Sequence, residues 1–257
     1  MKTFKLIVLF TAFILVCSCS KDETEETASS LKTAKSQICV NVQGASAIYW
    51  DFSHGLPTSL TQVPLLKNPG QQFVHSQLPL LGFTIPQGFN AFEVSNPLTA
   101  TLGVNVVRND NNVVYRWVPN TRVFGTVSTT AIIANEINNM FAHYGFNGTP
   151  EVLCTTTSNT TFEGIPMTFT ARLLRFGNIT GQVWVRSTFI AESTFSTISV
   201  TAAPTGEFDT QVFDTFLPIN FQLYVGSGGS PEDKDGDGFS VLEDPDDNDP
   251  NVPKNQG

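Results

Sequence analysis

Residues 167–190 read MTFTARLLRFGNITGQVWVRSTFI. β-Branched and aromatic residues recur on both sides of Gly177-Asn178-Ile179-Thr180-Gly181. In 182–190, Val183 and Val185 alternate with Trp184 and Arg186. A period of two suits a strand with one buried face. Gly and Asn tolerate the backbone that a tight turn needs, so the stretch reads as two long strands, 167–176 and 182–190, joined in a hairpin.

The same pattern extends from Ile38 to Val225. Further strands are expected at ICVNVQ (38–43), AIYWDF (47–52), TLGVNVVR (101–108), VVYRWV (113–118), RVFGTV (122–127), STISVTA (196–202) and FQLYVG (221–226). Asn109-Asp110-Asn111-Asn112 marks a second hairpin turn. Residues 53–98 carry Pro57, Pro64, Pro69, Pro79, Pro86 and Pro97. Proline removes a ladder donor, so loops with short edge strands are expected there.

One segment, 128–145, has helical spacing. Ile133, Ile137, Met140 and Tyr144 make an apolar stripe that Phe141 widens, with Ser128 or Thr129 to cap the start and Gly145 to end it. The fold class expected is mainly β. It is an antiparallel sandwich or barrel of roughly 8–12 strands, with one helix (about 129–144) packed against it. Composition agrees: 21 Phe and only 14% charged residues suit a β-rich domain better than a helical bundle.

Residues 1–19, MKTFKLIVLFTAFILVCSC, have a positive start (Lys2, Lys5) and a short apolar run from Leu6 to Val16. That run is too short for a permanent membrane helix and suits an export signal. Cys19 follows the small Ser18, whereas Cys17 follows the branched Val16, so Cys19 is the better lipid acceptor. Ser20-Lys21-Asp22-Glu23 come next. The segment resembles the lipoproteins of the Bacteroidetes group, in which such a string after the acylated Cys directs the protein to the outer face of the outer membrane. The resemblance implies a signal peptide (1–18), a membrane partner reached through lipid on Cys19, and a flexible tether (19–37). Export also makes a disulfide between Cys39 and Cys154 an option beside two separately buried thiols.

At the other end, a Gly/Ser linker leads through 227–232 to DKDGDGFSVLEDPDDND (233–249), with a short tail at 250–257. Asp233, Asp235 and Asp237 alternate before Gly238, Phe239 offers a carbonyl, and Asp244, Asp246 and Asp249 follow. Alternate carboxylates converge on one hard cation, and glycine permits the sharp turn. The motif resembles the DxDGDG metal-binding repeats of secreted bacterial proteins and the type 3 repeats of thrombospondin. It differs in having Pro245 where many carry Cys. The resemblance implies Ca²⁺ as the bound ion.

The formal charge of −9 is concentrated in this tail. Residues 38–230, the β-rich domain (38–226) and the Gly/Ser part of its linker, hold ten acidic and seven basic residues, which leaves no footprint for nucleic acid. No catalytic residue is identified. His54, His75 and His143 lack metal-site spacing; Asp51 beside His54 reads as a turn, and His143 as a helix-end residue. Trp50, Trp117 and Trp184 could stack on sugars if exposed, but their aliphatic neighbours favour the core. The function expected is a cell-surface binding or adhesion lipoprotein for a glycan or protein ligand. A polymer hydrolase and a structural part of an outer-membrane assembly are the alternatives.

Overall fold

The computed structural model describes residues 33–56, 58, 64–162 and 164–225. Nine strands form two antiparallel sheets. β1 (Pro69–His75) and β2 (Leu78–Pro86) make a separate hairpin. β3 (Phe89–Asn96), β4 (Thr101–Arg108), β5 (Val114–Phe124), β6 (Glu151–Phe162), β7 (Ile165–Phe176), β8 (Ile179–Ile190) and β9 (Ser193–Pro204) form a sheet in the order 3-4-5-9-8-7-6. Its edge strands, β3 and β6, do not meet, so the sheet stays open. The mainly β, antiparallel architecture with a packed helix is therefore the one observed.

The hairpin quoted at the outset is β7–β8, paired without a break from Met167↔Thr188 to Phe176↔Ile179. Its turn is only Gly177-Asn178, with Gly177 at φ 55°. Gly181 is a strand residue, not a turn residue. A Cβ there would stand 2.6 Å from Met140 Sδ, so glycine lets a helix lie close on the sheet. The β8–β9 turn, Ala191-Glu192, places two non-glycine residues at φ 47° and 61°. The backbone thereby matches the twist of the flanking strands at a steric cost of about 1–2 kcal/mol per residue.

Both faces of the large sheet are covered. α2 (Thr129–His143) lies over one face and buries Ile133 and Met140 against Leu174, Phe176, Val183, Val185, Ile198 and Val200. Ser128 caps it by accepting from Ala131 N at 3.2 Å. Its far end is pinned to the β4–β5 turn through His143 to the Asn111 carbonyl (2.9 Å) and Tyr144 to the Asn112 carbonyl (3.1 Å).

The opposite face carries α1 (Ala45–Ser53), a C-terminal helical segment and the β1–β2 hairpin. The C-terminal segment runs through α3 (Phe208–Gln211), a π turn (Val212–Phe216) and α4 (Leu217–Val225). Pro218 lacks an N–H, and its ring would crowd the Asp214 carbonyl in a regular helix; the wider π turn just before it relieves this. Tyr115 OH donates to Asn220 Oδ1 (2.5 Å), and Asn220 donates to Tyr49 OH (3.1 Å). These bonds satisfy polar groups that the core would otherwise strand.

Three expected strands are not strands. AIYWDF (47–52) lies in α1, buried on every side, so it has no polar face to betray helical period. FQLYVG (221–226) continues the C-terminal helical segment as far as Val225. ICVNVQ (38–43) forms turns, because Ser36 Oγ accepts from Cys39 N (3.0 Å) and Asp51 accepts from Ser36 Oγ (2.6 Å) and Gln37 N (2.9 Å). VVYRWV and RVFGTV are one strand, β5, interrupted by a bulge after Val118 at Pro119. The proline-rich stretch holds three full strands, with Pro69, Pro79 and Pro86 near their ends. β6 had no expected counterpart.

Residues Ala34–Gln37, read as tether, pack onto the domain: Lys35 bridges Gln43, and Ser36 is buried. Cys39 and Cys154 form a disulfide, Cα–Cα 6.1 Å, that ties this arm to β6. A cross-link spanning 115 residues restricts the unfolded chain by about 4–5 kcal/mol in the loop-entropy picture.

Candidate functional site

α2 is shorter than the strands beneath it. Beyond its first turn the sheet face is uncovered, and an open cleft of about 560 Å³ forms there. The floor is set by register. Asn159 pairs with Thr168, Thr168 with Ser187, and Ser187 with Ser196, so four side chains stand in a row across β6, β7, β8 and β9. Thr168 donates to Asn159 Oδ1 (2.9 Å), and the Ser187 and Ser196 hydroxyls are 2.8 Å apart. The next row out is Thr161, Pro166, Phe189 and Thr194.

The helix-side wall is the loop between β5 and α2. Thr194 holds it, accepting from Val127 N (2.9 Å) and donating to the Gly125 carbonyl (2.7 Å). Thr129, in the first turn of α2, bonds Thr170 at 2.7 Å. A smaller recess of about 290 Å³ lies across Val127 and contains Arg116 Nε, 3.1 Å from Glu136 Oε2.

Among the described residues, the cleft lining contains Thr, Ser, Asn, Val, Pro, Met and Phe, and no titratable side chain. Phe189 is 52% exposed at its rim, which leaves a ring face open to a ligand. The arrangement offers hydroxyls and an amide that both donate and accept, beside one aromatic ring. It suits a neutral, hydroxyl-rich ligand, and none of the described lining residues is a carboxylate, imidazole or thiol.

The sequence candidates lie elsewhere. Asp51 is buried and clamps the N-terminal arm, as described above. His54 bridges the Trp50 carbonyl (2.7 Å) and Thr156 Oγ1 (2.6 Å) and packs on Trp50 and Phe169. His75 is fully buried, with Gln77 N donating to its Nδ1 at 3.1 Å. Trp50 and Trp184 are buried, and Trp117 meets Trp184 edge-on at 5.4 Å. The structure brings none of these to the cleft. Cys19, Asp233, Asp235, Asp237, Phe239, Asp244, Asp246 and Asp249 lie outside the described residues. Among the described residues, no group of three or more His, Cys, Asp or Glu is placed to hold a metal, and no helix is long and apolar enough to cross a membrane. The cleft residues were missed because isolated Thr, Ser and Asn carry no motif; only strand register assembles them.

No family model matches the chain, and no curated protein matches it. Among solved structures, cyanobacterial PsbP (CyanoP) from Synechocystis sp. PCC 6803 aligns over 60% of this chain and 89% of its own, at 9% identity and TM-score 0.32. PA94, a protein of unknown function from Pseudomonas aeruginosa, aligns over 56% and 89%, at 12% identity and TM-score 0.25. Likenesses this slight assign neither family nor function.

Burial holds the His54 imidazole below its ordinary 6.5, against the opposing pull of the Trp50 carbonyl and Asp51. The native state therefore prefers neutral His54, while the unfolded chain takes up a proton below about 6.5. Its contribution is fully present above that pH and is lost as pH falls through the depressed native value. Urea midpoints should decline from pH ~6.5 downward in the wild type, and His54→Gln should flatten that decline. Parallel profiles for the two proteins would contradict the assignment.

Proposed function

We propose that this protein is a lipid-anchored binding module on the outer face of the outer membrane, with the Thr/Ser/Asn cleft as its ligand site. The ligand class is a neutral glycan. The observation that carries the reading is the cleft lining: hydroxyls and an amide set in register beside an exposed ring, with no ionisable group among the described residues. A polymer hydrolase would need a carboxylate pair or a His-centred site within reach of the ligand. A bare sugar-binding groove needs only polar partners for hydroxyls and a ring for C–H faces. Supporting the location are Ser18-Cys19 and the following Ser20-Lys21-Asp22-Glu23. Supporting a calcium-bound tail are the alternating carboxylates of 233–237 and the later Asp244, Asp246 and Asp249.

A neutral-glycan array probed with the full chain should give a positive class. Phe189→Ala and Asn159→Ala should each weaken binding to it by about tenfold, the loss of one stacking or hydrogen-bond contact. Turnover of a polymer by the same protein would instead revive the hydrolase, and binding indifferent to both substitutions would remove the cleft from consideration.

Mass spectrometry of membrane-extracted protein should find an acylated peptide beginning at Cys19, and Cys19→Ala should lose it. An unmodified terminus elsewhere overturns the anchor.

The tail should bind Ca²⁺ with a dissociation constant of about 10⁻⁶ to 10⁻³ M, since its clustered carboxylates repel one another until a cation bridges them. Calorimetric titration of wild type against Asp235→Ala checks this. Absence of calcium-dependent heat at millimolar concentration argues for a solvated acidic tail alone.

A further inference from the structure

We propose that β6 is a self-association edge: two copies pair β6 to β6, antiparallel, about a twofold axis at Ser158. The large sheet has two edges, and they are treated differently. β3 carries a charge, Glu93, and meets the β1–β2 hairpin there: Ser76 donates from its N–H (2.5 Å) and its hydroxyl (2.7 Å) to Glu93, and the His75 ring reaches the Val94 carbonyl (3.5 Å). Among the described residues, β6 pairs only with β7. The N-terminal arm meets β6 at its start, through Cys39 Sγ to the Leu153 carbonyl (3.6 Å) and the disulfide to Cys154.

Hairpin parity identifies the free groups. The two-residue turn after β6 makes Phe162↔Ile165 a hydrogen-bonded pair, so Phe162, Thr160, Ser158 and Thr156 turn their N–H and C=O toward β7. Thr155, Thr157, Asn159 and Thr161 turn theirs outward. Long exposed edges in soluble proteins usually carry a charge, a proline or a cover that blocks pairing. β6 has none of the first two from Val152 to Phe162.

The occupant follows from the sequence of the strand itself. Thr155-Thr156-Thr157-Ser158-Asn159-Thr160-Thr161 reads nearly the same in both directions. A twofold at Ser158 sets Thr155 opposite Thr161, Thr156 opposite Thr160 and Thr157 opposite Asn159 of the second copy. Every outward residue then meets an outward residue, giving about eight backbone hydrogen bonds. Cross-strand Thr pairs are favourable, and the uncharged strand offers no self-repulsion. A further consequence concerns the cleft. The Ser196–Ser187–Thr168–Asn159 row would continue onto Thr157 of the second copy, so the two cleft floors would join into one.

The test is cross-linking and mass on the full chain in detergent. The wild type should sediment as a dimer. Ser158→Cys should form an intersubunit disulfide, because residues facing across the axis have Cα atoms roughly 4.5 Å apart. Thr160→Cys should not, since it stands about 13 Å from its own copy in this register. Thr157→Pro, which deletes an outward N–H and, toward β7, only the long hydroxyl contact to Thr170 (3.4 Å), should yield a folded monomer with unchanged circular dichroism. A wild type that stays monomeric overturns the proposal, as does a dimer that persists in Thr157→Pro without Ser158→Cys cross-linking. These readouts need no ligand, so they stand or fall separately from glycan binding.

Discussion

A seven-stranded sheet has two faces, and neither can be left bare where its side chains are apolar. Most of this molecule is arranged to meet that demand. On one face, α1, the C-terminal helical segment and the β1–β2 hairpin enclose Trp50, Tyr115, Phe83, Phe216 and Leu173. On the other, α2 alone closes over Ile198, Val200, Val183 and Phe176. One 15-residue helix spans about 22 Å, whereas a 12-residue strand spans about 40 Å, so the far end of that face cannot be covered. The side chains lining that end are mostly Thr, Ser and Asn, which tolerate water, with Phe189 exposed at the rim. The cleft exists because the cover is shorter than the sheet.

The crowded face is organised by polar groups as much as by apolar ones. Asn220 joins Tyr115 on β5 to Tyr49 on α1, and Gln182 on β8 donates to Ser53 at 2.7 Å. Gln222 both accepts from Thr84 N and donates to the Thr84 carbonyl, so its amide takes the place of a neighbouring strand at β2. Asp51 gathers the N-terminal arm. These bonds give α1 and α4 one position each, which a purely greasy contact would not do as sharply.

Some of this was legible from residues alone. TLGVNVVR matches β4 end to end, and the β7–β8 hairpin and α2 with its Ser128 cap are where period and turn residues put them. α1 was illegible because a helix buried all round has no polar face. β6 was missed because a row of threonines shows neither alternation nor an apolar run. Cys39 and Cys154 could be seen as candidates for pairing, yet only folding brings residues 115 positions apart to 6.1 Å.

By itself the sequence determines the mainly β class, the hairpins with explicit turn residues and the single amphipathic helix, because each is local chemistry repeated at a fixed period. Tertiary structure alone decides the site. The cleft takes Asn159, Thr168 and Ser187 from three successive strands, whose short turns fix which residues stand opposite one another, but nothing local decides that this stretch of the sheet is left open. The packing of α2 does that, because the helix is shorter than the strands it lies on and covers only part of their face.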